Sequence, residues 1–182
     1  MLTTINSSKL TFRRPHVTDG AAIWQLAAET KKLDANSVYA YLMMCDMFAD
    51  TCAVASLLDR LAGFVTAFRK PSQPDTLFVW QIGVHPDFQG AGVGMRLLRH
   101  LLEREELSGI RYVEATIGPG NQPSRQLFLR LAEGYGTQCR MAEHYRKTLF
   151  PSETVHDAEL LFRIGPLQAA RSATANLPTG RS

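Results

Sequence analysis

The sequence predicts an α/β fold in which a mixed β-sheet carries helices on its faces. Strand-like and helix-like segments follow one another in the order β-α-α-β-β-β-α-β-α-β-β. Residues 77–84, LFVWQIGV, are apolar on both faces, as is typical of a central strand. A glycine-rich stretch, QGAGVG at 89–94, joins this strand to an amphipathic helical pattern. These observations together favour a sheet packed against helices.

The first part of the chain predicts one strand and two helices. LTFRRP at 10–15 is the strand, and Thr18 or Asp19 can cap the helix that follows it. A break at 33–38 separates that helix from a second one over 39–50, where apolar residues again recur at helical spacing.

From residue 51 the pattern changes to strands. The segments 51–58 and 62–70 flank a short connection and indicate a β-hairpin. PSQPD at 71–75 contains two prolines and predicts a loop before the central strand. After the glycines, a helix over 93–104 carries leucines on one face and arginines on the other. We interpret those arginines as its solvated face.

The last part of the chain predicts a strand, a helix and two strands. They occupy residues 111–118, 123–134, 137–147 and 158–166. Residues 167–182 lack apolar periodicity and are rich in Ala, Ser, Thr and Pro, which predicts a disordered tail. The elements therefore predict a single domain over 1–166.

Composition limits the classes of function. A net charge of +3 does not by itself indicate a nucleic-acid partner. The first fifteen residues resemble no secretory signal, and no apolar run approaches a membrane span. Cys45, Cys52 and Cys139 form no CxxC pair, and the histidines do not cluster, so neither disulfides nor a metal are indicated. We therefore expect a cytoplasmic protein with neither nucleic acid nor membrane as partner.

The glycine stretch predicts a site for a phosphate group. A helix N-terminus offers unpaired N–H groups and partial positive charge, and glycines let the backbone approach an anion. The P-loop motif fails because Met95 and Arg96 follow Gly94. The dinucleotide motif fails because the spacing is Gly90-x-Gly92-x-Gly94 and several strands precede it. A purely structural turn would explain the glycines but not the strand before and the leucine stripe after.

The motif that fits is Q/R-x-x-G-x-G/A. Gln89-x-x-Gly92-x-Gly94 resembles the acyl-CoA signature of the GCN5-related N-acetyltransferase (GNAT) superfamily. The preceding VHP and the downstream run Asn121-x-x-Ser124-x-x-Leu127-Phe128 are also similar to that superfamily. The resemblance implies the acyl-CoA N-acyltransferase fold, with a mostly antiparallel central sheet. It also implies acetyl-CoA as co-substrate and no metal.

The resemblance assigns roles around the co-substrate. It implies that backbone amides of the glycine stretch hold the pyrophosphate and that the edge of the central strand pairs with the pantetheine arm. It also implies a bulge in that strand, for which Gly83 is suited, and a backbone N–H near Ile82 that polarises the acetyl carbonyl. The implied CoA-binding residues are Ile82, Gly83, Val84, Gln89, Gly90, Ala91, Gly92, Val93, Gly94, Met95, Asn121 and Arg125. Many members protonate the leaving thiolate with a tyrosine where this chain has Phe128, which leaves Tyr135 or water as the general acid.

The acceptor is indicated by three longer stretches. Residues 33–51, 71–86 and 156–166 resemble the diaminobutyrate acetyltransferases of ectoine biosynthesis, and the likeness extends over 10–166. It implies direct attack of the 4-amino group of L-2,4-diaminobutyrate on acetyl-CoA in a ternary complex, and a homodimer. Another small amine, a protein N-terminus, or a non-catalytic acyl-CoA-binding module are the alternatives.

Acidic, aromatic and histidine side chains suit a cationic acceptor that must lose a proton. The candidate catalytic residues are His156, Glu159, Asp34 and Trp80, and the candidate substrate-binding residues are these four with Tyr39 and Tyr41. Trp80 shares a face with Ile82 in a regular strand and can line the acceptor site. His156 and Glu159 point to opposite faces of a regular strand, unless a loop or bulge at His156 brings them together. Asp34 can alternatively cap the second helix, and Glu114 is a reserve candidate for the base.

Overall fold

The computed structural model describes residues 9–30, 33, 36–152 and 156–168. Its helices are α1 (Gly20–Thr30), α2 (Val38–Met47), α3 (Val93–Leu102) and α4 (Gln122–Gly134). Its strands are β1 (Thr11–Arg13), β2 (Ala53–Leu57), β3 (Arg60–Lys70), β4 (Gln73–Val84), β5 (Tyr112–Ile117), β6 (Cys139–Tyr145) and β7 (Glu159–Ile164). The predicted order of elements is confirmed.

The strands form one mixed sheet in the order β1-β2-β3-β4-β5-β7-β6. Every neighbouring pair is antiparallel except β4 and β5, which run parallel. The predicted fold class, an α/β fold with a mostly antiparallel mixed sheet, is therefore confirmed. No helix among the described residues is long and apolar enough to cross a membrane.

Helices cover both faces of the sheet. On one face α1 and α2 pack with Val54, Phe64 and Trp80 around a smaller apolar cluster. On the other face the leucines of α3 and the apolar side of α4 pack on β3, β4, β5 and β7 in a larger cluster. The buried residues of α3 are Val93, Gly94, Leu97, Leu98 and Leu101, as the leucine stripe predicts.

A β-bulge at Trp80 changes which side chains of β4 share a face. Thr66 on β3 pairs with Gln81 and the next residue pairs with Val79, so Trp80 is the extra residue. Ile82 consequently packs on the larger cluster and Trp80 on the smaller one. The predicted common face for Trp80 and Ile82 is wrong, because the inserted residue shifts the alternation of the strand.

Gly83 is not the bulge residue either. It pairs regularly with Phe64 of β3. A Cβ at Gly83 would lie 2.6 Å from Cε1 of the Phe64 ring, so the ring occupies the space of a side chain. The glycine therefore permits close packing of β3 on β4, and the bulge lies three residues earlier.

Residues 71–75, predicted as a loop, mostly belong to a strand. A tight turn follows Lys70, and β4 already begins at Gln73. Pro74 is tolerated because the β3–β4 register shifts beside Lys70, and the pairing of β4 with β5 starts only at Thr76.

The helix starts differ from the sequence prediction in one place. A 3-10 turn over Val17–Asp19 leads directly into α1, so neither predicted residue is an isolated cap. The Asp19 carboxylate accepts the His16 N–H at 2.7 Å and pairs with Arg13 at 2.6 Å. Helix α2 is capped by Ser37, whose Oγ accepts the Ala40 N–H at 3.3 Å. Asp34, the alternative candidate for that cap, lies outside the described residues.

The arginines of 93–104 are not simply a solvated face. Arg104 Nη1 donates to the carbonyl oxygens of Asp50 at 3.0 Å and Cys52 at 2.8 Å. The Arg96 guanidinium lies 4.6 Å from the centre of the Phe12 ring. Arg104 therefore links the end of α3 to the segment that precedes β2.

The packed core extends one residue past the predicted boundary at 166. Leu167 is 8% exposed, lies in the larger cluster, and its N–H donates to the Arg111 carbonyl oxygen at 2.7 Å. Residues 169–182, the rest of the predicted tail, lie outside the described residues.

Candidate active site

A cleft opens where β4 and β5 separate. Their parallel pairing covers only three residue pairs and stops at Phe78 and Glu114. Beyond that point β4 continues to Val84 with only its β3 edge paired. The opposite edge of β4 therefore presents backbone groups to the cleft, which is what an added extended arm requires.

A cavity of about 630 Å³ extends from this edge to the start of α3 and α4. Ten of the twelve predicted CoA-binding residues line it, namely Ile82, Gly83, Val84, Gln89, Gly90, Gly92, Val93, Gly94, Met95 and Asn121. Ala91 lies within the same turn but is not a lining residue, and Arg125 lies elsewhere. The structure thus brings nearly all of the predicted set together.

The start of α3 has the geometry of an anion site. Gly92 is the N-cap with a φ of 72°, a left-handed conformation that glycine adopts without strain. The first bond back to the cap runs from the Arg96 N–H to the Gly92 carbonyl at 3.1 Å. The amides of Val93, Gly94 and Met95 therefore have no acceptor within the helix. They can donate to a phosphate at the positive end of the helix dipole.

The start of α4 supplies the opposite wall. Asn121 is its N-cap, and its side-chain oxygen accepts the Ser124 N–H at 3.2 Å. Asn121 and Ser124 line the large cavity and also a smaller one beside it. Arg125 faces another direction, because its guanidinium lies 5.8 Å from the centre of the Phe162 ring.

Two arginines that sequence reasoning missed line the large cavity, Arg99 on α3 and Arg130 on α4. Their helical spacing is the signal that could have identified them. Arg99 lies seven residues after Gly92, and Arg130 seven residues after Pro123, so each shares a face with its cavity-lining helix start.

A second cavity of about 60 Å³ lies between the separated ends of β4 and β5. Trp80, Gln81, Thr116 and Phe128 are among its lining residues. The Tyr41 hydroxyl donates to Gln81 Oε1 at 2.8 Å, and both residues are buried. Tyr41 is therefore held behind the cavity wall, and Gln81 is a lining residue that the sequence analysis missed because the bulge turns it there.

His156 and Glu159 are brought together beside the end of the β5–β7 pairing, which stops at Ile117 and Leu160. His156 precedes the first residue of β7, so the opposite-face expectation for a regular strand does not apply, and its Nε2 lies 3.9 Å from Glu159 Oε1. Its Nδ1 lies 2.7 Å from the Asp157 carbonyl oxygen, which can only accept, so Nδ1 carries the proton and Nε2 the lone pair of the neutral ring. The ring stacks on Phe150 at 3.8 Å.

His156 and Glu159 line neither cavity, and the remaining candidates also lie away from both or cannot be described. Asp34 lies outside the described residues. Tyr39 is 70% exposed and lines neither cavity. Tyr135 follows the end of α4 and also lines neither, about 10 Å along the helix axis from Phe128. The geometry therefore disfavours Tyr135 as the general acid.

Glu114 is wrong as a reserve base. It is buried opposite Phe78 at the joined end of β4 and β5. Lys70 Nζ binds one oxygen at 2.8 Å and Arg163 binds the other. Burial raises the pKa of Glu114, but the hydrogen bonds from Lys70 and Arg163 outweigh it, and its pKa lies below the ordinary value. A carboxylate held in two ion pairs is a poor proton acceptor.

The cysteine thiols are unsuited to nucleophilic catalysis. Burial raises the pKa of Cys45 to about 11 and that of Cys52 to about 12, and burial also raises the pKa of Cys139. None of the three lines either cavity. Among the described residues, no group of three or more His, Cys, Asp and Glu side chains is placed to hold a metal ion.

Comparison with known proteins agrees with this geometry. Residues 21–132 match the acetyltransferase (GNAT) family. The chain is 48% identical over 165 residues to an L-2,4-diaminobutyric acid acetyltransferase of Shouchella clausii, covering 91% of this chain and 92% of that protein. It is 49% identical to the protein of the same name from Halalkalibacterium halodurans, covering 87% and 82%.

A solved structure is similar over nearly the whole chain. Diaminobutyrate acetyltransferase of Paenibacillus lautus, in complex with L-2,4-diaminobutyric acid and coenzyme A, is 37% identical to this chain. The TM-score is 0.85, and the match covers 90% of this chain and 98% of that one.

Proposed function

Because this chain belongs to the acetyltransferase (GNAT) family, we propose that it transfers the acetyl group of acetyl-CoA to the 4-amino group of L-2,4-diaminobutyrate. One observation carries the proposal: the likeness to diaminobutyrate acetyltransferases extends over nearly the full length of the chain. The large cavity, with its helix N-terminus and open strand edge, suits the phosphates and extended arm of CoA.

Residues of this chain hold the donor in three places. The amides of Val93, Gly94 and Met95 bind the pyrophosphate. The open edge of β4 from Ile82 to Val84 pairs with the pantetheine arm, and Asn121 closes the opposite wall. Acetyl-CoA supplies a thioester whose carbonyl carbon the amine attacks, and a backbone N–H of β4 near Ile82 polarises that carbonyl.

The acceptor must lose a proton before it attacks. An alkylammonium group has a pKa of about 10.4, so the amine is charged at neutral pH. His156 Nε2 takes the proton, directly or through a water molecule, and Glu159 stabilises the imidazolium that forms. Attack is direct, without a covalent acetyl-enzyme, because the raised pKa values of the cysteines keep them as neutral thiols.

The leaving group needs little help from the protein. A thiol has a pKa of about 8.5, so a thiolate leaves readily near neutral pH. Phe128, which lines the small cavity, offers no proton, and Tyr135 lies outside both cavities. Water therefore protonates the CoA thiolate.

The same proposal extends to location and assembly. Free cysteines suit the reducing cytoplasm, and we propose that the enzyme acts there in ectoine biosynthesis. We also propose a homodimer, supported by the exposed edge of the sheet at β6.

The acceptor assignment is tested by measuring acetyl transfer with diaminobutyrate, ornithine and lysine, which differ only in side-chain length. We expect kcat/KM for diaminobutyrate to exceed the other two by at least about tenfold for each added methylene group. Equal values for the three amines would refute the assignment while leaving an acetyl-CoA-dependent transferase in place.

The base assignment is tested with His156→Gln and Glu159→Gln. Loss of a general base typically costs at least about 100-fold in kcat/KM, and we expect this for His156→Gln and a smaller loss for Glu159→Gln. His16→Gln, at an exposed residue before α1, is the matched control. Wild-type kcat/KM in both site variants would show that another group accepts the proton.

A further inference from the structure

Arg99 and Arg130 give the large cavity a positive end. Both line it, and its lining residues in the described part of the chain include no aspartate or glutamate. An anionic group entering this end would meet two guanidinium groups without a competing carboxylate on the wall.

The two arginines lie beyond the helix start that serves the pyrophosphate. Arg99 is six residues after Val93, or about 9 Å along α3. Its guanidinium reaches α4, because Nη2 lies 3.2 Å from the position of a Cβ at Gly134. Gly134 is one turn after Arg130 on the same face of α4. The guanidinium groups therefore flank the groove between α3 and α4, at a separate place from the first-turn amides.

Neither arginine has a charged partner within the described residues. Most other arginines in that part of the chain form ion pairs with carboxylates, as Arg13 does with Asp19, donate to carbonyl oxygens, or stack on rings, as Arg96 does on Phe12. For Arg99 and Arg130 no ion pair or hydrogen bond is formed there. Two unpaired guanidinium groups in one cavity wall favour a doubly charged anion, because arginine binds phosphate oxygens bidentately.

We propose that Arg99 and Arg130 bind the 3′-phosphate of the CoA ribose, so that the enzyme distinguishes CoA from 3′-dephospho-CoA. This inference rests on the proposed function, since it takes CoA as the donor. The 3′-phosphate is attached one ribose away from the pyrophosphate, which matches an anion site further along the α3–α4 groove. The role is one of donor affinity and specificity, apart from the chemistry at the acetyl group.

The experiment measures binding of CoA and of 3′-dephospho-CoA by calorimetry, with wild type, Arg99→Ala, Arg130→Ala and the double variant. We expect wild type to bind CoA at least about tenfold more tightly, since a hydrogen-bonded charge pair contributes at this level. Each single variant lowers the ratio, and the double variant brings it to within about twofold. Arg96→Ala, on the same helix and with the same loss of charge, keeps the wild-type ratio.

Binding of 3′-dephospho-CoA doubles as the folding control, because it uses the remaining contacts and should change little in any variant. A wild-type ratio near one, or a ratio that survives in the double variant, would overturn the inference and leave the proposed function intact. Wild type that binds neither ligand would overturn the proposed function itself. Raising the salt concentration should reduce the wild-type ratio, because these exposed charges are screened.

Discussion

At the scale of single residues, Gly83 shows how tightly the site edge is packed. A Cβ there would lie 2.6 Å from Cε1 and 3.1 Å from Cζ of the buried Phe64 ring. We expect Gly83→Ala to lower the free energy of unfolding by about 1–3 kcal/mol, because the strand or the ring must move. It should also raise KM for acetyl-CoA, since Gly83 lines the large cavity proposed for the donor. Urea unfolding and initial rates measure the two effects.

Gly109→Ala is the matched control for that substitution. Nothing lies within 4 Å of a Cβ at Gly109, and its backbone has no positive φ. The control should therefore unfold at the same urea concentration as wild type or at a slightly higher one, because alanine restricts the conformations of the unfolded chain. If Gly83→Ala matched the control in stability and in KM, the close contact with Phe64 would have no energetic consequence.

Tyr41 carries a second prediction at this scale. Its hydroxyl donates to Gln81 Oε1 at 2.8 Å in a fully buried setting. Tyr41→Phe leaves that oxygen without this donor, so we expect a loss of about 1–3 kcal/mol in stability. We also expect a lower kcat/KM for the amine, because Gln81 lines the small cavity. Tyr39→Phe, at a largely exposed hydroxyl, provides the comparison. If Tyr39→Phe lowered kcat/KM for the amine more than Tyr41→Phe does, Tyr39 and not Tyr41 would be the residue that supports the acceptor site.

At the scale of elements, the sequence predicted strands and helices well and their interruptions poorly. The apolar run of β4 marked a central strand, but alternation along one strand cannot reveal that Trp80 is an extra residue relative to β3. Trp80 alternates regularly with Val79, so the bulge placed Gln81 on the side of Tyr41 and Ile82 on the side of the larger cluster. Similarly, His156 meets Glu159 because β7 begins only at Glu159, and strand ends are set by pairing with other strands.

The joined end of β4 and β5 carries a prediction about acid stability. Glu114 is buried there between Lys70 and Arg163, and its pKa in the folded protein is lowered. A carboxyl group with a lower pKa when folded stabilises the protein above its unfolded pKa. That contribution disappears as the pH falls through the folded value. We therefore expect the free energy of unfolding to decline as the pH falls below the ordinary glutamic acid value of 4.5.

Glu114→Gln separates this contribution from that of other carboxylates. The variant should be less stable at pH 7 by about 1–3 kcal/mol, because two cations lose their partner. Its stability should fall less steeply in acid, because the group that titrates is gone. Glu133→Gln, on the exposed side of α4, is the control. Parallel acid profiles for wild type and Glu114→Gln would remove the ion cluster as a source of pH dependence.

At the scale of the whole molecule, the sequence predicted most residues of the proposed donor site but few of the proposed acceptor site. The large cavity, proposed to bind CoA, is lined largely by one contiguous stretch, 82–95, so a local motif located most of it. Helical spacing places Arg99 and Arg130 on the faces of their helix starts, but that both line one cavity depends on the packing of α3 beside α4. The acceptor candidates come from distant segments, and their meeting depends on the whole sheet. The position of Tyr41, behind Gln81 and outside the lining of the small cavity, likewise depends on how α2 packs on the sheet.

The outer edge of the sheet at β6 is the surface on which the proposed homodimer can be tested. β6 is the outermost strand, and every residue from Arg140 to Tyr145 is exposed. Met141 and Tyr145 add apolar surface to an edge with unpaired backbone groups, a combination that favours pairing with a second chain. Light scattering after gel filtration should therefore give twice the mass of one chain. Met141→Lys should lower that mass toward one chain, whereas Met47→Lys, at an equally apolar exposed residue of α2, should not. Dissociation by Met47→Lys alone would move the interface from the sheet edge to α2.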